Sequence, residues 1–189
     1  MRKIIESTLI SLDGVMNDPG SWALDYFNDE FLTEAHELLQ GCDAMLMGRG
    51  TYEDLSWRWP GQKGDFADAI NGIRKYVFSS KLQRTEWNNS VVVDGDVVAE
   101  VRKLKEEGGG DLVVFGHGML SHTLLEHGLL DRLRFAVHPI VVGQPLGSFV
   151  ENPKTPLTLV STHARQSGVV VLNYAVQNAS VQGDSSSTV

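Results

Sequence analysis

From Lys3 to Ser11 the chain is rich in β-branched residues, with Glu6 breaking an otherwise apolar alternation, and it runs into the turn dipeptide Asp13-Gly14. The pattern predicts a strand followed by a loop. Between Asn28 and Gln40, Phe31, Ala35, Leu38 and Leu39 recur at helical spacing, Glu30, Glu34 and Glu37 stand between them, and Gly41 supplies a stop. This is the signature of an amphipathic helix. Ala44 to Met47 is too short and too apolar for a helix and reads as a buried strand feeding Gly48-Arg49-Gly50, with Thr51 placed to cap whatever follows. Phe66, Ile70 and Ile73 predict a short helix after a loop holding Pro60, Gly61 and Gly64, and Lys75 to Phe78 a strand ending in Ser79-Ser80. Val91 to Val93 is a further strand; Asp96 caps a helix carrying Val97, Val101 and Leu104, which Gly108-Gly109-Gly110 terminates. Leu112 to Phe115 continues as a strand, Gly116-His117-Gly118 turns the chain, Met119 to His127 forms a helix, and Leu133 to Val142 is the next strand. Leu157 to His163 and Val169 to Val176 have hairpin spacing around Gly168. Strands alternating with helices, then a terminal hairpin, predict an α/β layer fold with a mostly parallel central sheet and an antiparallel edge. From Gln177 the chain turns to Asn, Ser, Gln, Gly, Asp and Thr, so one domain is expected over residues 1–176 and a flexible polar tail over 177–189.

The length of 189 residues, with 42% hydrophobic positions, suits a single core of ordinary size. Sixteen Lys+Arg against 24 Asp+Glu leave a formal net charge of −8, which argues against a nucleic-acid partner, since a phosphate backbone needs a basic face. No apolar run approaches the ~20 residues of a membrane span, and the N-terminal segment lacks the apolar block of a secretion signal. A cytoplasmic location is therefore expected. The single Cys42 excludes an internal disulfide framework and a zinc-thiolate cluster, and is expected to be a small buried hydrophobe.

Ligands of open α/β sheets bind beyond the carboxyl ends of the strands, and three turns are predicted there. Gly48-Arg49-Gly50-Thr51 combines close backbone approach, a hydroxyl and a forked cation suited to phosphate. Ser79-Ser80-Lys81 offers two hydroxyls and a cation. Gly116-His117-Gly118-Met119-Leu120 places a turn before a helix start, where a phosphate can rest. Any one of these turns equally suits a plain chain reversal; three in one small sheet are what a dinucleotide with several separated anion sites requires.

The same residues carry a resemblance to a known family. Ser11-Leu-Asp-Gly14, Met45-Leu-Met-Gly-Arg-Gly-Thr-Tyr-Glu53, Val77-Phe-Ser-Ser80, Val114-Phe-Gly-His-Gly118 and Leu124-Leu-Glu-His-Gly-Leu-Leu-Asp131, running on to His138-Pro139 and Val142-Gly143, follow in the order and spacing of the dihydrofolate reductase-like superfamily. They resemble in particular its branch containing the reductase domain of bacterial riboflavin biosynthesis, over residues 3 to about 176. The resemblance implies that family's three-layer fold and NADPH as cofactor. It implies that Gly48, Arg49, Gly50 and Thr51 grip the cofactor phosphates, with Arg49 near the adenosine 2′-phosphate; that Ser79 and Ser80, aided by Lys81 or Arg84, meet that same phosphate; and that Gly116, His117, Gly118, Met119 and Leu120 hold the pyrophosphate. His117 departs from the family, where relatives carry a small residue, and Gly143-Gln-Pro-Leu-Gly-Ser-Phe149 is a rearranged version of its glycine-rich loop. Homodimers are common in the family, so a homodimer is implied.

The substrate side has fewer anchors. Asp25, Asp29 and Glu30 fall near the position of the folate-binding carboxylate without matching its register, so folate reduction is unsupported. Asp13 either contacts substrate and helps a water protonate the acceptor, as catalytic residue, or only makes an Asx turn with Gly14. Trp22 and Trp57, with Trp59, read as loop aromatics that either stack on a flat heterocycle or anchor a core or dimer interface. His117, His122 and His127 recur every five residues, scatter over a helix and predict no metal site; His138 reads as a core histidine. Ser121 and Ser161 lack a placed His and carboxylate, so hydrolase chemistry has no support. The function expected is an NADPH-dependent reductase transferring hydride to a C=N or C=O bond of a small planar heterocycle. Reduction of the riboflavin-pathway ribosylaminopyrimidine and non-catalytic binding of NADPH or a small molecule are the alternatives.

Overall fold

The computed structural model describes residues 1–143 and 154–177. In chain order the elements are β1 (Ile4–Ser11), two 3₁₀ turns (Pro19–Ser21 and Leu24–Tyr26), α1 (Asp29–Gln40), β2 (Cys42–Gly48), α2 (Arg49–Arg58), α3 (Asp65–Gly72), β3 (Arg74–Phe78), β4 (Ser90–Val93), α4 (Val97–Glu106), β5 (Asp111–Phe115), α5 (Met119–Glu126), β6 (Arg132–His138), β7 (Leu157–Ala164) and β8 (Val170–Val176). The described strands form one sheet in the order β4-β3-β2-β5-β1-β6-β8-β7. The pairs from β4 to β6 are parallel, and β8 pairs antiparallel with both β6 and β7.

Alternation along the central strands builds a core on each face. In β2 and β5, Ala44, Leu46, Leu112 and Val114 face α4 and α5 with Val101, Leu104 and Leu124, while Met45, Met47 and Val113 face α1 and α3 with Phe31, Ala35, Leu39, Phe66 and Ile70. The result is the three-layer arrangement of the dihydrofolate reductase-like fold. Cys42 is buried, and burial together with the charges of Asp111 and Asp43 pushes its thiol up to about 12, so it packs as a protonated hydrophobe.

Two helix starts are closed by side chains. Asn28 Oδ1 accepts from Phe31 N at 3.0 Å, and Asp96 Oδ1 accepts from Val98 N and Ala99 N at 2.9 and 3.1 Å. Asp96→Ala is expected to lower stability by about 1 kcal/mol, read as a shifted urea midpoint with an unchanged slope.

The structure corrects the sequence reading in three places. The strand expected over Leu133–Val142 stops at His138, because Pro139 has no N–H to continue a ladder. Gly48-Arg49-Gly50 is no free-standing turn: β2 passes directly into α2, Gly48 is the N-cap, and Thr51 sits inside the first helical turn rather than capping it. Trp57 therefore belongs to a helix and not a loop. Gln177 is tied down through its N–H to Pro156 O at 3.0 Å and its amide to Thr158 Oγ1 at 2.7 Å; the rest of the expected tail, and residues 144–149 of the rearranged loop, lie outside the described residues. Among the described residues no helix is long and apolar enough to cross a membrane.

Candidate active site

Parallel pairing of β3, β2, β5, β1 and β6 puts their carboxyl ends along one edge of the sheet. The three turns picked out in the sequence follow β2, β3 and β5, which are neighbours, so they lie side by side at about 4.8 Å per strand. Two of them lead into helices of a distinctive kind. Gly48 at the start of α2 and Gly118 at the start of α5 make no side-chain cap, in contrast to Asn28 and Asp96. The first-turn N–H groups of α2 and α5 have no partner within their own helices, and the positive ends of both helix dipoles emerge on the same edge. A Cβ added at Gly48, Gly50, Gly116 or Gly118 would meet nothing within 4 Å, so the backbone is bare there to an incoming group. Gly116 has φ 78°, a left-handed conformation that lets the chain turn from β5 toward α5.

One strand further out, Ser79 Oγ accepts from Lys81 N at 3.1 Å and Leu82 N at 3.0 Å, a hydroxyl-closed turn that presents Ser80 and Lys81 to solvent. Arg84 pairs with Glu86 at 3.2 Å on the surface. Arg49, the first residue of α2, is half exposed and reaches Glu53 at 2.8 Å. Met119 is 82% exposed, whereas Leu120 packs against the core under α4 and α5.

Beside this edge opens a cavity of about 440 Å³, within the range of small-molecule sites. Its floor is the sheet at Ser7, Leu9, Phe115 and Arg134; α1 contributes Phe31, Ala35 and Leu38; α2 and α3 contribute Leu55, Phe66 and Ile70, with Trp59 between them; the loop after β1 covers it with residues 16–20, Leu24 and Phe27. Gly50, Thr51, Gly116 and His117 belong to both the strand-end turns and the cavity wall, which joins the two regions into one site. Arg58, paired with Asp54 at 2.8 Å, lies directly against Gly20, where any side chain would collide with its guanidinium. That contact ties the covering loop to α2.

The expected substrate residues sit elsewhere. Asp13 accepts from Ser11 Oγ at 2.6 Å, Gly143 N at 2.9 Å and Val142 N at 3.1 Å, and these bonds hold its carboxyl down at about 2. At neutral pH it has no proton to give, and its geometry is that of a clip between the end of β1 and the segment after β6. Asp13→Ala is expected to speed amide exchange at Val142 and Gly143 while leaving exchange in the β5 core unchanged. Trp22 is buried, donates its indole N–H to Asn17 O at 3.0 Å and stands edge-on to His138 at 5.4 Å, with Tyr26 on the same ring at 5.1 Å. His138 is fully buried, burial lowers its pKa, and its Nδ1 meets Ala136 O at 2.8 Å. Trp22 thus supports the covering loop from behind. Trp57 is 82% exposed and outside the cavity wall; Trp59, which lines the cavity, is the better placed aromatic.

Two buried polar groupings were not recognised in the sequence. On α1, Glu34 accepts from Arg134 at 2.6 Å, from Arg165 at 3.1 and 2.6 Å and from His163 at 3.0 Å. Burial works to raise its pKa, but the Arg165 and His163 bonds and the two guanidinium charges prevail and hold it at about 2. On the opposite face of β1, Glu6 is fully buried and its Oε1 meets His117 Nδ1 at 2.9 Å and Thr8 Oγ1 at 2.9 Å. The bulk of His117, unusual for this turn, is absorbed by that pairing, and the His122 ring lies against it at 4.9 Å, tilted by 43°. Glu6 and Arg134 did leave a local signal, as charged residues interrupting apolar strands.

Comparison with known proteins agrees with this architecture. The family model described as the RibD C-terminal domain matches residues 2–171. The chain is 28% identical over 186 residues to YyaP of Bacillus subtilis (strain 168), an uncharacterized protein, covering 92% of this chain and 94% of that one. Among solved structures, a Shewanella sp. PV-4 protein whose name ties it to riboflavin biosynthesis superposes with TM-score 0.71 at 18% identity, covering 93% and 99% of the two chains. Schistosoma mansoni dihydrofolate reductase superposes with TM-score 0.57 at 14% identity, covering 93% and 98%. At these identities the two structures establish the common fold.

Proposed function

Because the chain belongs to the RibD C-terminal domain family, we propose that it is an NADPH-dependent reductase, transferring hydride to a C=N or C=O bond of a small planar molecule held in the cavity. The observation that carries this reading is the pair of helix starts without side-chain caps, α2 and α5, that follow neighbouring strands, with Gly50, Thr51, Gly116 and His117 beside them lining the cavity. Backbone N–H groups and dipoles of that kind fit a pyrophosphate, and the Arg49 and Ser79-Ser80-Lys81 positions alongside supply the cations and hydroxyls that a further phosphate needs. NADPH, when bound, supplies the hydride. The chain's own part is to orient and to exclude water: the apolar wall keeps solvent from the reacting face, and Thr51 and Gly116, shared between turn and cavity, set where the two ligands meet. The riboflavin-pathway ribosylaminopyrimidine is a narrower version of the same reaction.

The test is direct. Titration with NADPH is expected to show saturable binding well tighter than NADH, and NADPH with a panel of dihydropterins, pyrimidinones, quinones and small carbonyls to lose absorbance at 340 nm with at least one member. Equal affinities for the two dinucleotides would sink the phosphate assignment. A homodimer belongs to the same proposal: among the described residues β7 is the last strand of the sheet and exposes Leu159 and Val160 at 50% and 57%, an apolar edge suited to a second copy. Sedimentation at micromolar concentration is expected to give twice the 20.8 kDa chain mass.

A further inference from the structure

On the reductase reading above, we propose that the acceptor taken by this cavity is a flat, largely apolar aromatic carboxylate, its ring gripped between two aromatic walls and its carboxylate seated on Arg134. The walls are distinct. Phe27 and Phe31 form one group, stacked at 4.2 Å with an interplanar angle of 15°; in the other Trp59 meets Phe66 edge-on at 4.8 Å, and Phe66 leans on Phe115 at 6.5 Å. All five rings line the cavity. A flat ring buries its faces against these aromatic groups, which suits a planar, largely apolar acceptor.

Arg134 selects the other end of the ligand. Arg134 and Arg165 share one carboxylate, Glu34, and among the described residues neither makes an ion pair with any other acid. Of the remaining cavity carboxylates, Asp54 is taken by Arg58 and Asp18 lies on the covering loop. Glu30, one turn before Glu34, accepts from Gln166 N at 3.1 Å. His163 adds no negative charge. The two guanidiniums thus share a single carboxylate, in a place where the Arg134 side chain is 12% exposed and Arg165 is 4% exposed. Arg134 spends one donor on Glu34 at 2.6 Å and one, at 3.3 Å, on Ser7 Oγ, and it lines the cavity; its other donors are available to a ligand. A planar carboxylate matches the donors of the guanidinium fork that Glu34 and Ser7 leave open. Glu34 holds the fork in place from behind and is positioning rather than catalytic.

The test uses the full chain without cofactor. Calorimetric titration with 2-naphthoate, its neutral isostere 2-naphthamide and uridine 5′-monophosphate is expected to rank naphthoate roughly tenfold or more above naphthamide, as one charge-assisted bond would give, with the nucleotide weakest. Arg134→Met is expected to erase the advantage of naphthoate and leave naphthamide within about threefold, and Arg134→Lys to keep part of it. Equal binding of acid and amide by the unaltered protein, or tightest binding by the nucleotide, overturns the proposal whether or not the variants fold. A protein that prefers naphthoate yet binds no NADPH would refute the reductase reading and leave the carboxylate site standing.

Discussion

Glu34→Ala is expected to cost about 3 kcal/mol of folding stability, the scale at which removal of one partner strands a buried charge. The reason is specific to this site. Its carboxylate is the shared counter-charge of two guanidiniums, so the alanine leaves Arg134 and Arg165 without the one acid that both bind at 2.6 Å. Arg165 lies over the Phe31 ring at 5.3 Å and already has a buried Nη1 with no partner among the described residues, so the ring face is a poor substitute for the lost carboxylate. Urea unfolding at pH 7 measures the loss. Glu34→Gln, which keeps an acceptor but no charge, is expected to fall between the two, and a change within about 0.5 kcal/mol for alanine would mean that the cluster is screened like a surface pair.

The same group sets an acid dependence. Its folded value of about 2 lies below the ordinary 4.5, so the unfolded chain binds the proton more readily, and the contribution is complete above about pH 4.5 and lost as pH falls from there toward 2. Asp13, held at about 2 by its hydroxyl and backbone donors, acts in the same direction as pH falls from its ordinary 3.8 toward 2. The Glu34→Ala protein is therefore expected to lose less stability than the parent between pH 5 and 3, since the group that would have been protonated is gone.

How much of this was legible in the sequence depends on the range of the signal. Asn28 and Asp96 announce their helices because a cap is a matter of three residues, and the hairpin of β7 and β8 because its loop is short. α2 was missed as a helix because its only buried residue is Tyr52, so no apolar stripe marks it. The three strand-end turns were visible for the same local reason, each a glycine or hydroxyl cluster directly after a strand. Their adjacency was not visible: it follows from β2 lying between β3 and β5 in the sheet. The cavity is harder still, since its rings come from the covering loop, α1, the end of α2, α3 and β5. Glu34 and Arg134 are 100 residues apart and Glu6 and His117 are 111 apart; one sequence carries no mark of such pairs beyond a charge in an apolar run.

Arg49→Glu is expected to weaken NADPH on the order of a hundredfold and NADH by no more than about threefold, the first being the loss of a charge-assisted phosphate bond plus new repulsion. Stability offers no competing explanation for this arginine. It is the first residue of α2, where the helix dipole disfavours a cation, and its bond to Glu53 is a half-exposed i,i+4 pair worth only tenths of a kcal/mol. A cation kept at a helix start against the dipole, beside a bare glycine cap and next to the Ser79-Ser80-Lys81 turn, has its use in what arrives from solution. Fluorescence titration of both dinucleotides against parent and variant, with urea midpoints as a control, separates the two effects. Equal weakening of NADPH and NADH would move Arg49 from the 2′-phosphate to the pyrophosphate. No weakening of either would take the cofactor away from the carboxyl edge of β2 altogether.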